Sequence, residues 1–329
     1  MKRLLVTGGA GFIGSNFIRH ILNKYDDYRI VNLDKLTYCG NLDNLKEASK
    51  DKRYKFIKGD ITNADTVEKA VKGCDCVINF AAETHVDRSI KDPSNFVRTN
   101  VFGTYTLLEA AKKIGAGLFI QLSTDEVYGS ILKGAFKEID PLHPNSPYSA
   151  SKAAGDLLAR SYFITYKLPV IITRSSNNFG PYQYPEKVIP LFITLLLQNK
   201  KVPLYADGMN VRDWLYVIDN CEAIDTFLHK GKAGEIYNVG GAAEITNLEL
   251  TYNILEMLGK DKRSIEYVKD RPGHDKRYSL DITKLRALGW YPRHNFKEAL
   301  ETTIDWYRAN KSWWTNILRH CERRSNIKR

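Results

Sequence analysis

Short apolar runs alternate with helical stretches through the first half of the chain. The apolar runs are "RLLVTGG", "YRIVNLD", "YKFIKGD", "CDCVINFAA" and "LFIQLST", and amphipathic helices are predicted over about 13–24, 100–114 and 148–166. Strands that are separated by helical crossovers form parallel sheets, because parallel neighbours cannot be joined by tight hairpins. These runs are apolar throughout, which indicates burial on both faces. The pattern therefore predicts an α/β fold with a doubly wound parallel sheet.

The pattern changes after "LPVIITRSSNNFGP", where Pro and Gly begin to separate shorter elements. We predict a first domain over residues 1–176 and a smaller α/β lobe over 177–311. The stretch "RDWLYVIDNCEAIDTFLHKG" joins a strand-like start to a helix, so residues of about 211–232 are expected to return to the first domain. Residues 312–329 are predicted to form a basic tail, which ends in the solvated terminus "RHCERRSNIKR".

Composition and charge exclude several classes of function. The net charge is +11. Beyond the basic terminus this charge is dispersed and no recognisable motif accompanies it, so we expect no nucleic-acid partner. The longest apolar run, "VIPLFITLLL", is shorter than the roughly 20 residues of a membrane-spanning helix, and the chain enters a strand at once, so we expect no membrane association and a cytoplasmic location. The five Cys and seven His lack ligand spacing, and we predict no metal site.

A glycine-rich turn lies between the first strand and the first helix. "VTGGAGFIGSNFIRHIL" places Gly8, Gly11 and Gly14 there, where glycine lets backbone N–H groups approach a pyrophosphate at the helix N-terminus. Asp34 ends the second strand, where its carboxylate can accept a hydrogen bond from a ribose 2′-hydroxyl and would repel a 2′-phosphate. The motif therefore predicts a site for NAD rather than NADP. The alternative is a glycine turn with a capping Asp and no nucleotide.

Further cofactor contacts are predicted next to the turn and at the carboxyl edge of the sheet, where doubly wound folds bind ligands. They are Phe12, Ile13, Lys35, Asp60, Ile61, Ala81 and Ala82. Ala81 and Ala82 leave space for a ribose or nicotinamide, although ordinary strand packing explains small residues equally well.

A chemical site is predicted after the fifth strand and in the following long helix. Tyr148 and Lys152 are four residues apart and share one helix face. A phenol with a pKa near 10 is a poor base unless a cation, here Lys152 helped by the nicotinamide ring, stabilises the phenolate. "LSTDEVYG" adds Thr124, Asp125 and Glu126 at the end of the strand. The alternatives are a surface Tyr–Lys pair and an acidic pair at a helix N-terminus.

The glycine turn, Thr124 and the Tyr148–Lys152 pair together resemble the extended short-chain dehydrogenase/reductase family, whose dinucleotide-binding domain is of the Rossmann type. The chain is similar to the dTDP-glucose 4,6-dehydratase branch of that family up to about residue 311. The motifs that carry this similarity are "DKLTYCGN", "AAETHVDRSI", "STDEVYG", "YSASKA", "RSSNNFGPYQYPEKVIPL", "RDWLYV" and "RPGHDKRY". The resemblance implies an NAD-dependent lyase that acts on dTDP-glucose and forms a homodimer.

The resemblance also assigns roles to the acidic pair. Oxidation of C4 to a ketone acidifies the C5 proton, and elimination of the C6 hydroxyl then needs a base and an acid. Glu126 is implied as the base at C5 and Asp125 as the acid at O6, which requires an environment that raises the pKa of Asp125. Related dehydratases that invert C5 carry Lys in the second position, so Glu126 favours retention at C5.

Substrate contacts are likewise implied by the resemblance. Arg212 and Arg271 are candidate forks for the diphosphate. The full set of implied contacts is His85, Asn178, Glu186, Lys187, Arg212, Asn247, Arg271, His274 and Tyr278.

Three other functions remain open at this point. A UDP-glucose 4,6-dehydratase is not separated from a dTDP-glucose enzyme by any physical feature of the sequence. A sugar-nucleotide 4-epimerase has less use for the acidic pair, and a dinucleotide-sensing binding protein has no need of the catalytic set.

Overall fold

A computed structural model describes residues 2–270 and 273–326 of the protein. The strands within these residues are β1 (Lys2–Thr7), β2 (Tyr28–Asp34), β3 (Tyr54–Lys58), β4 (Cys76–Asn79), β5 (Leu118–Thr124), β6 (Val170–Ser175), β7 (Asn177–Phe179), β8 (Val202–Tyr205), β9 (Val211–Tyr216), β10 (Ile236–Val239), β11 (Glu244–Thr246) and β12 (Ile265–Val268).

The helices of the described residues cover both faces of the main sheet and build the second lobe. They are α1 (Phe12–Lys24), α2 (Ala64–Val71), α3 (Val86–Lys91), α4 (Ser94–Phe96), α5 (Thr104–Ile114), α6 (Pro147–Tyr166), α7 (Val188–Leu197), α8 (Val217–Lys230), α9 (Asn247–Met257), α10 (Thr283–Arg286), α11 (Phe296–Ala309) and α12 (Lys311–Asn326). A π-helical segment, Val97–Gly103, joins α4 to α5, and short 3₁₀ turns lie at Leu42–Leu45, Ala48–Lys50, Asp125–Tyr128 and Lys262–Ser264.

The main sheet has seven strands, and every neighbouring pair in it is parallel. The strand order is β10-β6-β5-β4-β1-β2-β3, so the direction of winding reverses between β1 and β4. Ligands of doubly wound folds bind at that reversal, beyond the carboxyl ends of the strands. The predicted α/β doubly wound fold is confirmed, and the predicted strands "YRIVNLD" and "LFIQLST" correspond to β2 and β5.

A second lobe has its own sheets and its own hydrophobic core. Its sheets are β11-β9-β7 and β12-β8. Its core includes Phe179, Trp214, Leu250 and Leu300, all of them buried. These elements match the smaller α/β lobe that we predicted, and β9 places a strand of the range 211–232 in this lobe.

The return of the chain to the main domain involves α8 and β10. Phe227 of α8 shares a buried cluster with Phe17 and Ile21 of α1. β10 pairs with β6 at the edge of the seven-stranded sheet. β10 lies beyond the predicted range 211–232. The sequence did not predict it, because four residues are too few to show a hydrophobic pattern. The domain boundary near residue 176 stays a prediction.

The segment that we predicted to be a basic tail is helical up to Asn326. Trp314 is fully buried in the second core, and its indole N–H donates to the Tyr307 carbonyl oxygen at 2.9 Å. The segment therefore packs on the second lobe through apolar side chains, which its net charge did not lead us to predict. The last residues of the basic terminus, 327–329, lie outside the described residues.

Candidate active site

A cleft runs along the carboxyl edge of the main sheet and collects most of the predicted site. All the predicted cofactor residues line it, together with the five predicted catalytic residues and three of the predicted substrate contacts. These are Gly8, Gly11, Phe12, Ile13, Gly14, Asp34, Lys35, Asp60, Ile61, Ala81, Ala82, Thr124, Asp125, Glu126, Tyr148, Lys152, Asn178, Glu186 and Lys187. Residues from distant parts of the sequence meet here because parallel strands end at the same edge.

The glycine turn has no room for side chains. Gly8 has a φ of +68°, and a Cβ there would lie 2.6 Å from the backbone nitrogen of Ala81. A Cβ on Gly14 would lie 2.5 Å from the carbonyl oxygen of Gly8. α1 begins directly after Gly11, which has no side chain to cap it, so N–H groups of its first turn are available to an anion. The turn therefore fits a dinucleotide pyrophosphate.

Asp34 connects the glycine turn to the end of β2. Its carboxylate accepts hydrogen bonds from the backbone N–H of Ala10 at 2.9 Å and of Leu36 at 2.7 Å. The neighbouring Lys35 pairs with Asp60 at 2.7 Å. Asp34 is thus held at the edge of the cleft with lone pairs left for ribose hydroxyls, which is the position that NAD requires.

The catalytic helix α6 starts with a capping box. Ser146 and Ser149 satisfy each other's backbone N–H groups, and Pro147 occupies the first turn. This fixed start holds Tyr148 at the cleft. α6 approaches the Asn100 segment closely because Gly155 has no Cβ. A Cβ at this position would lie 2.9 Å from the backbone oxygen of Asn100.

Lys152 lies one turn after Tyr148 and is almost completely buried. Its ammonium donates to the carbonyl oxygen of Leu122 at 2.5 Å. Burial lowers the pKa of Lys152 to about 8, and the nearby Asp156 opposes that shift. The pKa of Lys152 therefore lies close to neutral pH, where the side chain is mostly positively charged.

The phenol of Tyr148 lies in surroundings that favour its protonated form. Burial raises its pKa, and the charges of Glu126 and Asp125 add to that shift, while the nearby Thr124 hydroxyl opposes it. The phenolate that we predicted therefore needs the positive charge of a bound nicotinamide in addition to Lys152.

The acidic pair occupies a single 3₁₀ turn directly after β5. Asp125 is 2% exposed, and its Oδ1 accepts a hydrogen bond from Thr124 at 3.1 Å. Its Oδ2 is buried and has no hydrogen-bond partner among the described residues. Burial and then the charge of Glu126 raise the pKa of Asp125 well above its usual range. An acid that must hold a proton has a suitable environment here.

Arg212 and Tyr278 face the acidic pair from the second lobe. The Arg212 guanidinium donates to the carbonyl oxygen of Asp275 at 2.9 Å and lies 4.5 Å from the centre of the Tyr278 ring. Its charge lowers the pKa of Asp125, although burial of Asp125 outweighs it. Burial and the charge of Glu126 raise the pKa of Tyr278. Both side chains are buried, at 5% and 2% exposure, and neither lines the cleft.

Glu186 is held by two side chains that the sequence did not single out. The Tyr38 hydroxyl donates to its Oε1 at 2.7 Å, and Arg88 donates to its Oε2 at 3.0 Å. The Arg88 guanidinium stacks on the Tyr38 ring at 3.7 Å. Tyr38 and Arg88 occur in the motifs "DKLTYCGN" and "AAETHVDRSI", but only the fold brings them to Glu186.

The other predicted substrate contacts have diverse surroundings. The Asn178 amide donates to the Ser176 carbonyl oxygen at 2.9 Å, and Asn247 begins α9. His274 contacts Asp270 at 2.6 Å. His85 has a φ of +82°, and its buried Nδ1 has no hydrogen-bond partner within the described part of the chain. Arg271 lies outside the described residues.

Several polar residues of the cleft were missed from the sequence. They lie between β6 and α7 or on β9, and buried polar atoms of four of them lack hydrogen-bond partners among the described residues. These four are Ser176, Asn177, Gln183 and Trp214. Three of the four lie in the motif "RSSNNFGPYQYPEKVIPL", and this motif was the sequence signal that could have identified them. Their common position in the cleft depends on the pairing of β7 with β9.

Over residues 2–270 and 273–326, no group of three or more His, Cys, Asp or Glu side chains could hold a metal ion. No helix in the described part of the chain is both long and apolar enough to span a membrane.

Comparisons with known proteins agree with this geometry. Residues 5–303 match the model of the GDP-mannose 4,6 dehydratase family. The chain is 52% identical over 317 residues to a dTDP-glucose 4,6-dehydratase of Streptomyces niveus, with 95% of this chain and 94% of that protein covered. It is 52% identical over 304 residues to the low-salt glycan biosynthesis protein Agl12 of Haloferax volcanii, with 92% and 98% covered. The crystal structure of DesIV, a dTDP-glucose 4,6-dehydratase from Streptomyces venezuelae with NAD bound, matches with a TM-score of 0.94 at 51% identity and covers 96% of this chain and 99% of that one.

Proposed function

Because the chain belongs to the GDP-mannose 4,6 dehydratase family, we propose that it is an NAD-dependent hydro-lyase that converts dTDP-glucose to dTDP-4-keto-6-deoxyglucose. The observation that carries this proposal is the buried Asp125 beside Glu126, in the same cleft as Tyr148 and Lys152. This arrangement provides a base for a sugar hydroxyl together with an acid and a base for elimination.

The cleft offers NAD a complete binding surface. Gly8 and Gly14 shape the turn for its pyrophosphate, Asp34 accepts hydrogen bonds from a ribose, and Ala81 leaves space beyond β4. When bound, NAD takes up the hydride of C4 and later gives it to C6, so no second substrate is consumed.

The protein side chains move the protons. Tyr148, supported by the charge of Lys152, accepts the proton of the C4 hydroxyl. The Thr124 hydroxyl lies beside the Tyr148 phenol and opposes the rise in its pKa. Glu126 then removes the acidified C5 proton. Asp125 donates its proton to O6, and the C6 hydroxyl leaves as water. Glu126, where relatives that invert C5 have Lys, supports return of the proton to the same face of C5.

The second lobe supplies the contacts for the nucleotide and the sugar. Lys187 and Asn178 line the cleft beside the predicted cofactor site. We assign the diphosphate to Arg212 and Arg271 and further sugar or nucleotide contacts to His85, Glu186, Asn247, His274 and Tyr278. In this structure Glu186 is bound by Tyr38 and Arg88, so a contact from Glu186 to substrate shares the carboxylate with them.

The proposal also includes an oligomeric state and a cellular location. The chain forms a homodimer through α5 and α6, whose outer surfaces expose large apolar side chains. These include Phe102, just before α5, and Tyr105, Leu157, Ile164 and Tyr166. The enzyme acts in the cytoplasm at an early step of deoxysugar synthesis, for example toward rhamnose.

The test is mass spectrometry of dTDP-glucose incubated with the purified protein in D₂O, with catalytic NAD and no other reductant. Loss of one water and gain of one deuterium at C5 is the expected result. An unchanged substrate directs the same assay to UDP-glucose. An isomer of unchanged mass would show that the protein is a 4-epimerase, and no reaction with either nucleotide sugar would favour a dinucleotide-binding protein without catalysis.

A further inference from the structure

We propose that Thr124 relays one proton per turnover from Tyr148 to Asp125, so that the proton lost by the C4 hydroxyl leaves in the water eliminated from C6. This inference rests on the proposed function and adds a connection between its two chemical steps.

The Thr124 hydroxyl lies between the two catalytic groups. It donates to Asp125 Oδ1 at 3.1 Å and accepts from the backbone N–H of Glu126 at 3.3 Å. It also lies near enough to Tyr148 to oppose the rise in the pKa of that phenol. A hydroxyl has one donor hydrogen and two acceptor lone pairs, so the second lone pair is left to accept from the Tyr148 phenol. With Thr124 8% exposed and Asp125 2% exposed, the connection runs through protein instead of bulk water.

The proton balance of the dehydration is closed by a net transfer of one proton from Tyr148 to Asp125. The released water contains the C6 hydroxyl and one further proton, which Asp125 supplies. The hydrogen on C4 moves to C6, and the proton that Glu126 takes from C5 is replaced there. The proton of the C4 hydroxyl is then the single surplus, and it arrives at Tyr148. The cycle closes when the surplus at Tyr148 makes up the deficit at Asp125.

The transfer itself needs no other reactant. The O–H bond of Tyr148 breaks and its proton binds Thr124 Oγ1, while the original O–H bond of Thr124 breaks and that proton binds Asp125 Oδ1. Thr124 is again a hydroxyl, and Asp125 is a carboxylic acid. Because Asp125 Oδ2 has no hydrogen-bond partner among the described residues, a half-turn of the carboxyl brings the protonated oxygen to the other side without breaking a second contact.

The test compares two leaving groups in one active site. The substrates are dTDP-glucose and dTDP-6-deoxy-6-fluoroglucose, which share the oxidation at C4 and give the same product. Fluoride is a much weaker base than hydroxide and needs less protonation to leave. Thr124→Val should lower water elimination about 100-fold and fluoride elimination less than about tenfold, since a positioned acid contributes about that much. Thr124→Ser, which keeps the hydroxyl, should restore most of the water elimination.

Asp125→Asn is the reference, because it removes the acid directly and should show the same difference between the substrates. Equal losses of the two eliminations in Thr124→Val would show that Thr124 serves only C4 oxidation and would overturn the relay. A difference between substrates in Asp125→Asn but not in Thr124→Val would overturn it as well. Failure of the unmodified protein to convert either substrate would refute the proposed function instead. If Thr124→Val does not fold, Thr124→Ala takes its place.

Discussion

At the scale of single residues, the site depends on different environments for chemically similar groups. Asp125 and Glu126 are neighbours in sequence, yet Asp125 is enclosed behind Thr124, while Glu126 is partly exposed at the cleft. Enclosure disfavours a charged carboxylate, and a neighbouring negative charge disfavours it further. The two carboxylates can therefore divide the acid and base roles between them, as in other enzymes that use a pair of titratable groups.

The role of Glu126 can be isolated by Glu126→Gln. An amide cannot accept the C5 proton, but it leaves Tyr148 and Lys152 unchanged, so oxidation at C4 should continue while water loss stops. With stoichiometric enzyme, the absorbance of reduced nicotinamide should rise after dTDP-glucose is added and should not decay, and mass spectrometry should detect no dehydrated product. Normal elimination in this variant would contradict the assignment of Glu126 as the base.

The depressed pKa of Lys152, about 8, predicts a pH dependence. Lys152 is positively charged below that pH and neutral above it. Because only the cation stabilises a Tyr148 phenolate, kcat/KM should fall as the pH rises through about 8. The residual activity of Lys152→Arg should show no such decline, since a guanidinium does not titrate in this range. A wild-type kcat/KM that stays constant up to pH 10 would exclude this role.

At the scale of elements, α6 is fixed to the sheet beneath the active site. Asp156 follows Lys152 by one turn, and its carboxylate accepts from Nε of Arg174 on β6 at 3.1 Å. Both side chains are almost fully buried, at 1% and 4% exposure. A buried pair adds little net stability over an apolar pair, but removal of one partner leaves the other charge without compensation. The position of the catalytic helix therefore depends on both members.

We expect Asp156→Asn to lower the free energy of unfolding by about 3 kcal/mol, because it leaves Arg174 buried without a counter-charge. The matched control is Asp305→Asn, which breaks the exposed pair of Asp305 with Arg308 on α11. The control should change stability by less than about 0.5 kcal/mol. Urea denaturation of both variants measures the difference. If Asp156→Asn lowers the free energy of unfolding no more than the control does, the buried pair does not stabilise the position of α6.

At the scale of the whole molecule, the described residues form three hydrophobic clusters, two against the main sheet and one in the second lobe, and leave an apolar surface on α5 and α6. The exposed fractions of Phe102 and Leu157 are 51% and 60%. Exposed apolar residues that are scattered singly need no explanation, whereas a concentration of them on neighbouring helices is typical of a subunit interface. This surface is where we place the contact between the two protomers.

The combined substitution Phe102→Glu and Leu157→Glu should convert the dimer to a monomer, because it places four carboxylates in the interface. Leu132→Glu with Ile139→Glu is the matched control, since these apolar residues are 73% and 89% exposed but lie in the loop before α6. Size-exclusion chromatography with light scattering gives the molar mass. A dimeric mass for the first variant, or a monomeric mass for the unmodified chain, would contradict the assignment of this surface.

Much of the fold and the cofactor site followed from the sequence, because local patterns determine them. A continuous apolar run predicts a buried strand, and a glycine turn between strand and helix predicts a phosphate site. The seven-stranded sheet confirms the predicted fold, and Gly8, Gly14 and Asp34 line one cleft at its edge, while the phosphate site there stays a prediction. The short strand β10 and the buried Trp314 were not anticipated. β10 forms because it pairs with β6, and such a short strand has no pattern of its own. Trp314 lies in a segment whose net positive charge predicted solvent exposure.

The sequence by itself determined which chemical groups this protein contains and at which strand ends they lie. The tertiary structure alone decided how those groups interact. Enclosure of Asp125, the contact of Thr124 with it, and the hold of Tyr38 and Arg88 on Glu186 all join groups whose relation depends on packing. Burial and distance set the pKa of a group and the path of a proton, and neither quantity is local to the chain.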